Sequence, residues 1–284
     1  MAWLVKDVCG IICALLAWVL LAFAQYTLLT IVLLPQPDTF RKYFHLVVFE
    51  FFSILLVIAH LKTILTDPGS VPQKTATPEY LRELEQNEFQ QPNNVVYKCP
   101  ECCSVKPERA HHCSVCKRCI RKMDHHCPWV NNCIGERNQK YFVLFTLYVA
   151  VLSFHALYLT VTHIMNCLES DWDSSHNSCS MMSKGRPSPG KLILLVFLVF
   201  EALLFSLFSL IMFYMQMKAI WTDWTGIEHL KRESRDRRSG CMSLRSVCGN
   251  HMILWLSPLT KPPPKINPLI TSHARSSSYM NYPV

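Results

Sequence analysis

The sequence predicts an all-α membrane protein with four transmembrane helices and a cytosolic zinc-binding cysteine-rich domain between helices 2 and 3. Half of the 284 residues are hydrophobic, and they gather in four long runs. Eight of the 14 cysteines fall in the single stretch 99–133, between the second and third runs. This composition is too apolar for an ordinary soluble domain, and its cysteines are too clustered for a simple membrane bundle.

Each hydrophobic run is long enough to cross a hydrocarbon core of roughly 30 Å as a helix. Inside lipid every backbone polar group must be paired within the segment, so each run is expected to be helical. The first run is too long for a signal peptide and lacks a small-residue cleavage site, which indicates a retained anchor. The runs cover residues 8–34, 44–65, 141–165 and 192–217.

The distribution of lysine and arginine predicts the orientation of the helices. Of the 28 basic residues, 11 lie in the loop 66–140 and ten follow residue 217, whereas the short connections 35–43 and 166–191 hold five together. Basic residues concentrate on the cytoplasmic side of membrane proteins. The loop, the N-terminus and the C-terminal tail are therefore predicted to be cytosolic, and 166–191 lumenal.

These predictions divide the chain into five parts. In order they are helices 1 and 2 (1–65), a cytosolic linker (66–98), the cysteine-rich domain (99–140), helices 3 and 4 with the lumenal loop (141–217), and the cytosolic tail (218–284). Cysteines on the cytosolic side favour metal binding or catalysis. Cys167 and Cys179, in the lumenal loop, could instead form a disulfide.

The cysteine-rich domain has the spacing of structural zinc sites. Two C-x2-C pairs, with further cysteines and histidines close by, suit tetrahedral zinc. Two ions need eight ligands, and the block offers eight cysteines and four histidines. Because adjacent residues rarely reach the same ion, His112 and Cys113 are expected to bind different ions. The favoured partition is Cys99, Cys102, His112 and Cys119 on one ion, and Cys113, Cys116, His126 and Cys133 on the other.

This partition leaves Cys103, His111, His125 and Cys127 without a metal. Cys127 lies two positions after His125, which follows Asp124. A histidine oriented by a carboxylate can deprotonate a cysteine for nucleophilic attack. The spacing alone leaves open the alternative that Cys127 or His125 is itself a zinc ligand.

Residues 124–133 read DHHCPWVNNC, which resembles the signature of the DHHC protein S-acyltransferases, or palmitoyltransferases. The preceding cysteine and histidine spacing, the DPG turn at 67–69 and the four-helix layout match that family as well. The resemblance covers roughly residues 8–228, and the wider sequence is most similar to the Golgi-resident members.

The resemblance implies a protein-cysteine S-palmitoyltransferase that carries the acyl group on Cys127, with His125 as base and Asp124 as its orienting carboxylate. It implies the same eight zinc ligands and palmitoyl-CoA or a similar acyl-CoA as donor. It further implies a chain-length residue at Leu152 in the third helix. The residues expected to meet the CoA phosphates are Lys106, Arg109 and His111.

The resemblance also implies a bilayer environment, membrane-associated protein substrates with cytosolic cysteines, and a Golgi membrane. It leaves homo- or hetero-oligomers open, and nothing in the sequence suggests nucleic-acid binding. Two segments depart from the family pattern. Residues 225–228 read TGIE where the family often has Thr-Thr-x-Glu, and the tail around 242–250 lacks an asparagine at the expected place.

Two other functional classes compete with this prediction. A membrane-anchored zinc adaptor would explain the metal ligands but leave Asp124, His125 and Cys127 without roles. A transporter is suggested by the intramembrane charges Glu50 and Glu201. Transporters usually contain more helices, internal repeats and broken segments, none of which this sequence shows.

Overall fold

The structure is built on four long helices. The computed structural model describes residues 4–80, 82, 97–169, 182–183, 186–187, 189–231 and 239–263. Within this part of the chain four helices are long and apolar enough to cross a membrane, as predicted. They are α1 (Val8–Thr27, continued by a π-helical segment, Leu28–Leu33), α2 (Phe40–Leu65), α3 (Gln139–Glu169) and α4 (Pro189–Thr222).

Helices α2, α3 and α4 extend several residues beyond the hydrophobic runs. Capping and backbone hydrogen bonding set a helix end, whereas hydrophobicity marks only the part in lipid. The Thr39 side chain accepts a hydrogen bond from the Lys42 N–H, so α2 starts four residues before the apolar run. The Lys42 ammonium is buried there and donates to the carbonyl oxygens of Leu34 and Gln36.

Helix α3 is the centre of the bundle. Half of the residues in its most hydrophobic segment are buried inside the protein, compared with 6% in the corresponding segment of α1. It packs between α2 and α4, and the fully buried Phe49 and Leu195 belong to the same core as Leu144. Helix α1 is therefore mostly exposed to lipid, and its position depends on contacts at its ends.

Three small hairpins form the cysteine-rich domain. They pair β1 (Tyr97–Cys99) with β2 (Ser104–Lys106), β3 (His111–Cys113) with β4 (Arg118–Ile120), and β5 (His125–Cys127) with β6 (Asn132–Ile134), each antiparallel. Strands of three residues are too short to show a two-residue hydrophobic period, so the sequence did not predict them. The fold class remains mostly helical, as expected.

Buried asparagines attach the hairpins to α2. The Asn132 amide donates to the carbonyl oxygens of Thr63 and Thr66, at 3.0 and 3.1 Å. The Asn138 amide donates to the Cys133 carbonyl at 2.8 Å, which holds β6 against the start of α3. Because buried carbonyl groups at a helix end need donors, these amides satisfy α2 while fixing the domain at the membrane face.

The tail folds back onto α3 and α4. Beyond α4 lie two short helices, α5 (Gly226–Lys231) and α6 (Gly240–Cys248). Val247 on α6 packs with Val143 and Ile220. The buried Lys140 ammonium donates to the Leu254 carbonyl at 3.1 Å. The tail therefore packs on the bundle without the asparagine that the family pattern led us to expect.

The start of α1 rests directly on the turn that follows Cys127. The Asn131 amide donates to the Val5 carbonyl at 2.9 Å. A Cβ atom on Gly10 would lie 2.2 Å from Asn131 Oδ1, so only glycine allows this approach. Two contacts thus hold the loosely packed helix against the hairpin β5–β6.

Substitution of Gly10 by alanine is expected to destabilise the protein by about 1–3 kcal/mol, the usual cost of overpacking. Thermal unfolding in detergent measures this effect. Gly190→Ala is the matched control, since a Cβ at Gly190 meets nothing within 4 Å. Equal shifts of the unfolding temperature in the two variants would contradict the proposed contact.

Candidate active site

Four side chains from the first and second hairpins form the first cluster that could hold a metal ion. The donor atoms of Cys99, Cys102, His112 and Cys119 all lie within 4.8 Å of one another. His112 Nδ1 is 3.2 Å from Cys102 Sγ and 3.6 Å from Cys99 Sγ. Tetrahedral zinc with bonds of usual length separates its ligands by about 3.5–3.8 Å, so the cluster fits zinc.

The second cluster joins the second and third hairpins. It consists of Cys113, Cys116, His126 and Cys133, again with donor atoms within 4.8 Å. His126 Nδ1 lies 3.4 Å from Cys116 Sγ and 3.7 Å from Cys133 Sγ. The two clusters coincide with the partition predicted from the sequence. The second hairpin contributes to both, so metal binding would lock all three hairpins together.

Cys127, His125 and Asp124 lie outside both clusters and next to each other. His125 Nδ1 is 2.7 Å from Asp124 Oδ2, and the Asp124 carboxylate is buried, with 6% exposure. His125 Nε2 is buried and makes no hydrogen bond within the described part of the chain. The imidazole interacts with the buried Cys127 thiol. The ring is therefore held by the carboxylate on one side and faces the thiol with the other.

The surroundings of His125 favour its protonated form. Burial alone would lower the pKa of His125, but its interactions with Asp124 and Cys127 raise that pKa to about 9. Burial would raise the pKa of Asp124, yet its hydrogen bonds with His125 and other donors lower it overall. A histidine that readily holds a proton, beside a thiol, suits a proton acceptor for a cysteine nucleophile.

Two hydrogen-bond donors hold Asp124 in place, and the sequence did not reveal either of them. The Gln216 amide, on α4, donates to Asp124 Oδ2 at 2.8 Å. The backbone N–H of Gly226 donates to Asp124 Oδ1 at 2.6 Å. Gly226 stands where the family often has its second threonine. A backbone amide thus supplies a hydrogen bond to the active site, although the threonine hydroxyl is absent.

An ion-pair network joins the cysteine-rich domain to the segment after α4. The Arg109 guanidinium pairs with the carboxylates of Glu228 and Asp223, and only 12% of its side chain is exposed. The Lys122 ammonium donates to Asp223 Oδ1 at 2.6 Å. Burial opposes ionisation of Asp223, but Lys122 and Arg109 hold its pKa near 2. Four buried or nearly buried charges therefore stabilise one another.

The three residues predicted to meet the CoA phosphates have different environments. Lys106 ends β2 and His111 starts β3, and both are half-buried. The Lys231 ammonium, on α5, lies 3.4 Å from His111 Nδ1 and adds a cation there. Arg109, by contrast, directs most of its donors to protein carboxylates. Phosphate binding by Arg109 stays a prediction that must accommodate this ion pair.

A cavity extends from Cys127 into the helix bundle. All four long helices contribute to its lining, which is mainly apolar. Cys127 and Trp129 line one end, and Leu152, Ala156 and Leu198 lie deeper in the bundle. The structure thus places Leu152 and Cys127, far apart in sequence, on one cavity. The lining contributed by α1 could not be predicted, because the hydrophobic pattern of α1 does not distinguish a cavity face from a lipid face.

Comparison with known proteins identifies the family that the sequence motif resembles. A family model described as DHHC palmitoyltransferase matches residues 93–233. The chain is similar to palmitoyltransferase ZDHHC3 of Homo sapiens, with 47% identity over 263 residues, 92% of this chain and 84% of the relative. It is 46% identical over 259 residues to palmitoyltransferase ZDHHC7 of Rattus norvegicus, covering 90% of this chain and 80% of the relative.

A more distant relative shares most of the chain as well. The probable protein S-acyltransferase 12 of Arabidopsis thaliana is 32% identical over 228 residues, which are 75% of this chain and 72% of that protein. The similarity therefore extends through the membrane helices as well as the cysteine-rich domain. This chain belongs to the DHHC palmitoyltransferase family.

Proposed function

We propose that the protein transfers a palmitoyl or similar long acyl group from acyl-CoA to cysteines of protein substrates, through an acyl-enzyme on Cys127. One observation carries this proposal. The Cys127 thiol, which neither metal cluster needs, lies at the end of an apolar cavity and beside the His125–Asp124 pair. A zinc adaptor would have no use for this arrangement.

In the first step the proton of the Cys127 thiol lies on His125, whose raised pKa favours the imidazolium, so that Cys127 is a thiolate. The thiolate attacks the carbonyl carbon of the acyl-CoA thioester, and the carbon–sulfur bond to CoA breaks. The CoA thiolate leaves and takes the proton from His125. Asp124 keeps the imidazole oriented and stabilises its charge while it holds the proton.

In the second step a protein cysteine repeats this chemistry. His125 accepts the proton of the substrate thiol, and the substrate thiolate attacks the carbonyl carbon of the acyl-enzyme. The bond between that carbon and the Cys127 sulfur breaks, and the released Cys127 thiolate takes the proton from His125. The covalent intermediate divides a transfer between two bulky partners into two reactions at one site. CoA can therefore depart before the protein substrate arrives.

The cavity supports a long apolar chain as the transferred group. Burial of a hydrocarbon chain is favourable by about 0.8 kcal/mol per CH₂ group. The chain would extend from Cys127 between the helices, past Phe145 and towards Leu152. The CoA portion would stay at the surface of the cysteine-rich domain, where we propose that Lys106, His111 and Arg109 meet its phosphates.

We propose that zinc occupies both metal clusters in a structural role. The donor sets contain three cysteines and one histidine each, which suits zinc. Bound zinc supplies rigid crosslinks between the hairpins and takes no part in the acyl transfer. Because His126 and Cys127 are neighbours on β5, a fixed His126 also fixes the nucleophile.

We place the cysteine-rich domain and both termini in the cytosol, at a Golgi membrane. The excess of lysine and arginine on this side supports the orientation. Cys167, at the opposite end of α3, is disulfide-bonded, as suits an oxidising lumen. Its predicted partner, Cys179, lies outside the described residues. Resemblance to Golgi-resident members supports the choice of membrane.

Cys127→Ser is expected to abolish the hydroxylamine-sensitive label that labelled palmitoyl-CoA leaves on the protein, because the variant cannot form the thioester. Bound zinc should remain near two ions per chain, since Cys127 lies outside both clusters. Cys103→Ser is the control and should keep the label, because Cys103 is exposed and outside the clusters. Retention of the label in Cys127→Ser would refute the proposed nucleophile.

Neighbouring histidines should respond differently to replacement. His126→Ala is expected to lower the zinc content to about one ion per chain and to reduce thermal stability, because metal binding and folding are coupled. His125→Ala should keep both ions and fold normally, yet lose at least about 100-fold in the rate of acyl-enzyme formation. Elemental analysis and labelling distinguish the two variants. If His125→Ala instead loses zinc and His126→Ala loses only acylation, then His125 is the ligand and His126 is the base.

Leu152 is expected to limit the length of the acyl chain. Leu152→Phe should shorten the cavity and favour C14 over C18 acyl-CoA, whereas Leu152→Ala should favour the longer donor. Rates of acyl-enzyme formation with C14, C16 and C18 donors test this. If Leu152 serves only in packing, each variant will change all three rates by the same factor.

A further inference from the structure

The deep end of the acyl cavity contains a carboxyl group. Glu201, on α4, lines the cavity, and it is the only acidic residue among the described lining residues. Its Oε2 atom is buried and has no hydrogen-bond partner within the described part of the chain. An unsatisfied buried oxygen is costly, and ionisable groups inside membranes commonly mark functional sites.

Positions along the helices place Glu201 far from Cys127. Gln216, which contacts Asp124 in the active site, lies 15 residues further along α4. At about 1.5 Å per residue this corresponds to roughly 22 Å. Ser153, which also lines the cavity, lies 14 residues into α3, or about 21 Å from the start of that helix. Both polar residues therefore lie near the end of the cavity that an acyl chain reaches last.

The other two helices are also polar at this depth. Gln25 and Glu50 directly follow the lining residues Ala24 and Phe49. The Gln25 amide donates to Glu50 Oε2 at 3.3 Å. This bond satisfies Glu50 Oε2, whereas Glu201 Oε2 has no partner among the described residues. The cavity lining is mainly apolar, and two of its polar members, Glu201 and Ser153, lie near its deep end.

We propose that Glu201 and Ser153 form a polar subsite that binds a hydroxyl group at the end of the acyl chain. This inference rests on the proposed function, because it assigns part of the same cavity. A plain methyl end leaves the carboxyl group without a partner. A terminal hydroxyl both donates and accepts a hydrogen bond, so the enzyme accepts long-chain acyl-CoA that carries oxygen at the far end of the chain.

The test compares C16 acyl-CoA with and without a terminal hydroxyl on the full-length protein. The readout is the ratio of the two rates of acyl-enzyme formation, hydroxylated over plain. Glu201→Leu should lower this ratio about fivefold, the effect of losing one hydrogen bond. Glu201→Gln still offers a donor and an acceptor and should change the ratio by less than about twofold.

Leu198→Ala is the matched control. Leu198 lines the cavity one helical turn from Glu201, so its truncation alters packing but removes no polar group. The rate ratio should stay the same in this variant. An unchanged ratio in Glu201→Leu, or an equal fall in Glu201→Leu and Glu201→Gln, would overturn the polar subsite. Failure of the wild type to form an acyl-enzyme from either donor would instead refute the proposed function itself.

Discussion

The buried carboxylate of Asp124 joins the parts of the protein that must cooperate in acyl transfer. It contacts His125 in the cysteine-rich domain, Gln216 on the last membrane helix and the Gly226 N–H beyond that helix. A buried carboxylate is stable only when donors surround it. The groups that satisfy Asp124 therefore also attach the hairpin β5–β6 to the membrane bundle.

A second connection reinforces the first. Arg109 and Lys122 belong to the cysteine-rich domain, and their partners Asp223 and Glu228 follow the last membrane helix. Because these charges are nearly excluded from water, removal of one would leave its partner buried and unpaired. Glu228 also accepts a hydrogen bond from the Thr225 N–H, directly before the glycine that stands in place of the family's second threonine.

The position of the active site follows from these attachments. The hairpins lie against the end of α2, so Cys127 faces a cavity between the helices instead of open water. Helix α1 completes the cavity although little of it is buried, because its first turn rests on Asn131. Acyl transfer from a lipid-like donor suits this arrangement, in which the buried Cys127 thiol and His125 lie at one end of an apolar space that can hold the chain.

The sequence by itself determined the four membrane helices, because runs of this length have no other stable form in lipid. It also predicted the partition of the ligands between two clusters, since the spacing of Cys99 to Cys133 allows few tetrahedral arrangements. Only the tertiary structure decided which groups support Asp124, that Arg109 pairs with Glu228, and that Glu201 enters the cavity. These contacts join residues about 90 to 120 positions apart, or depend on the rotation of a uniformly apolar helix. Local spacing and hydrophobic pattern carry no information on these long-range contacts or on helix rotation, because packing between separate helices sets them.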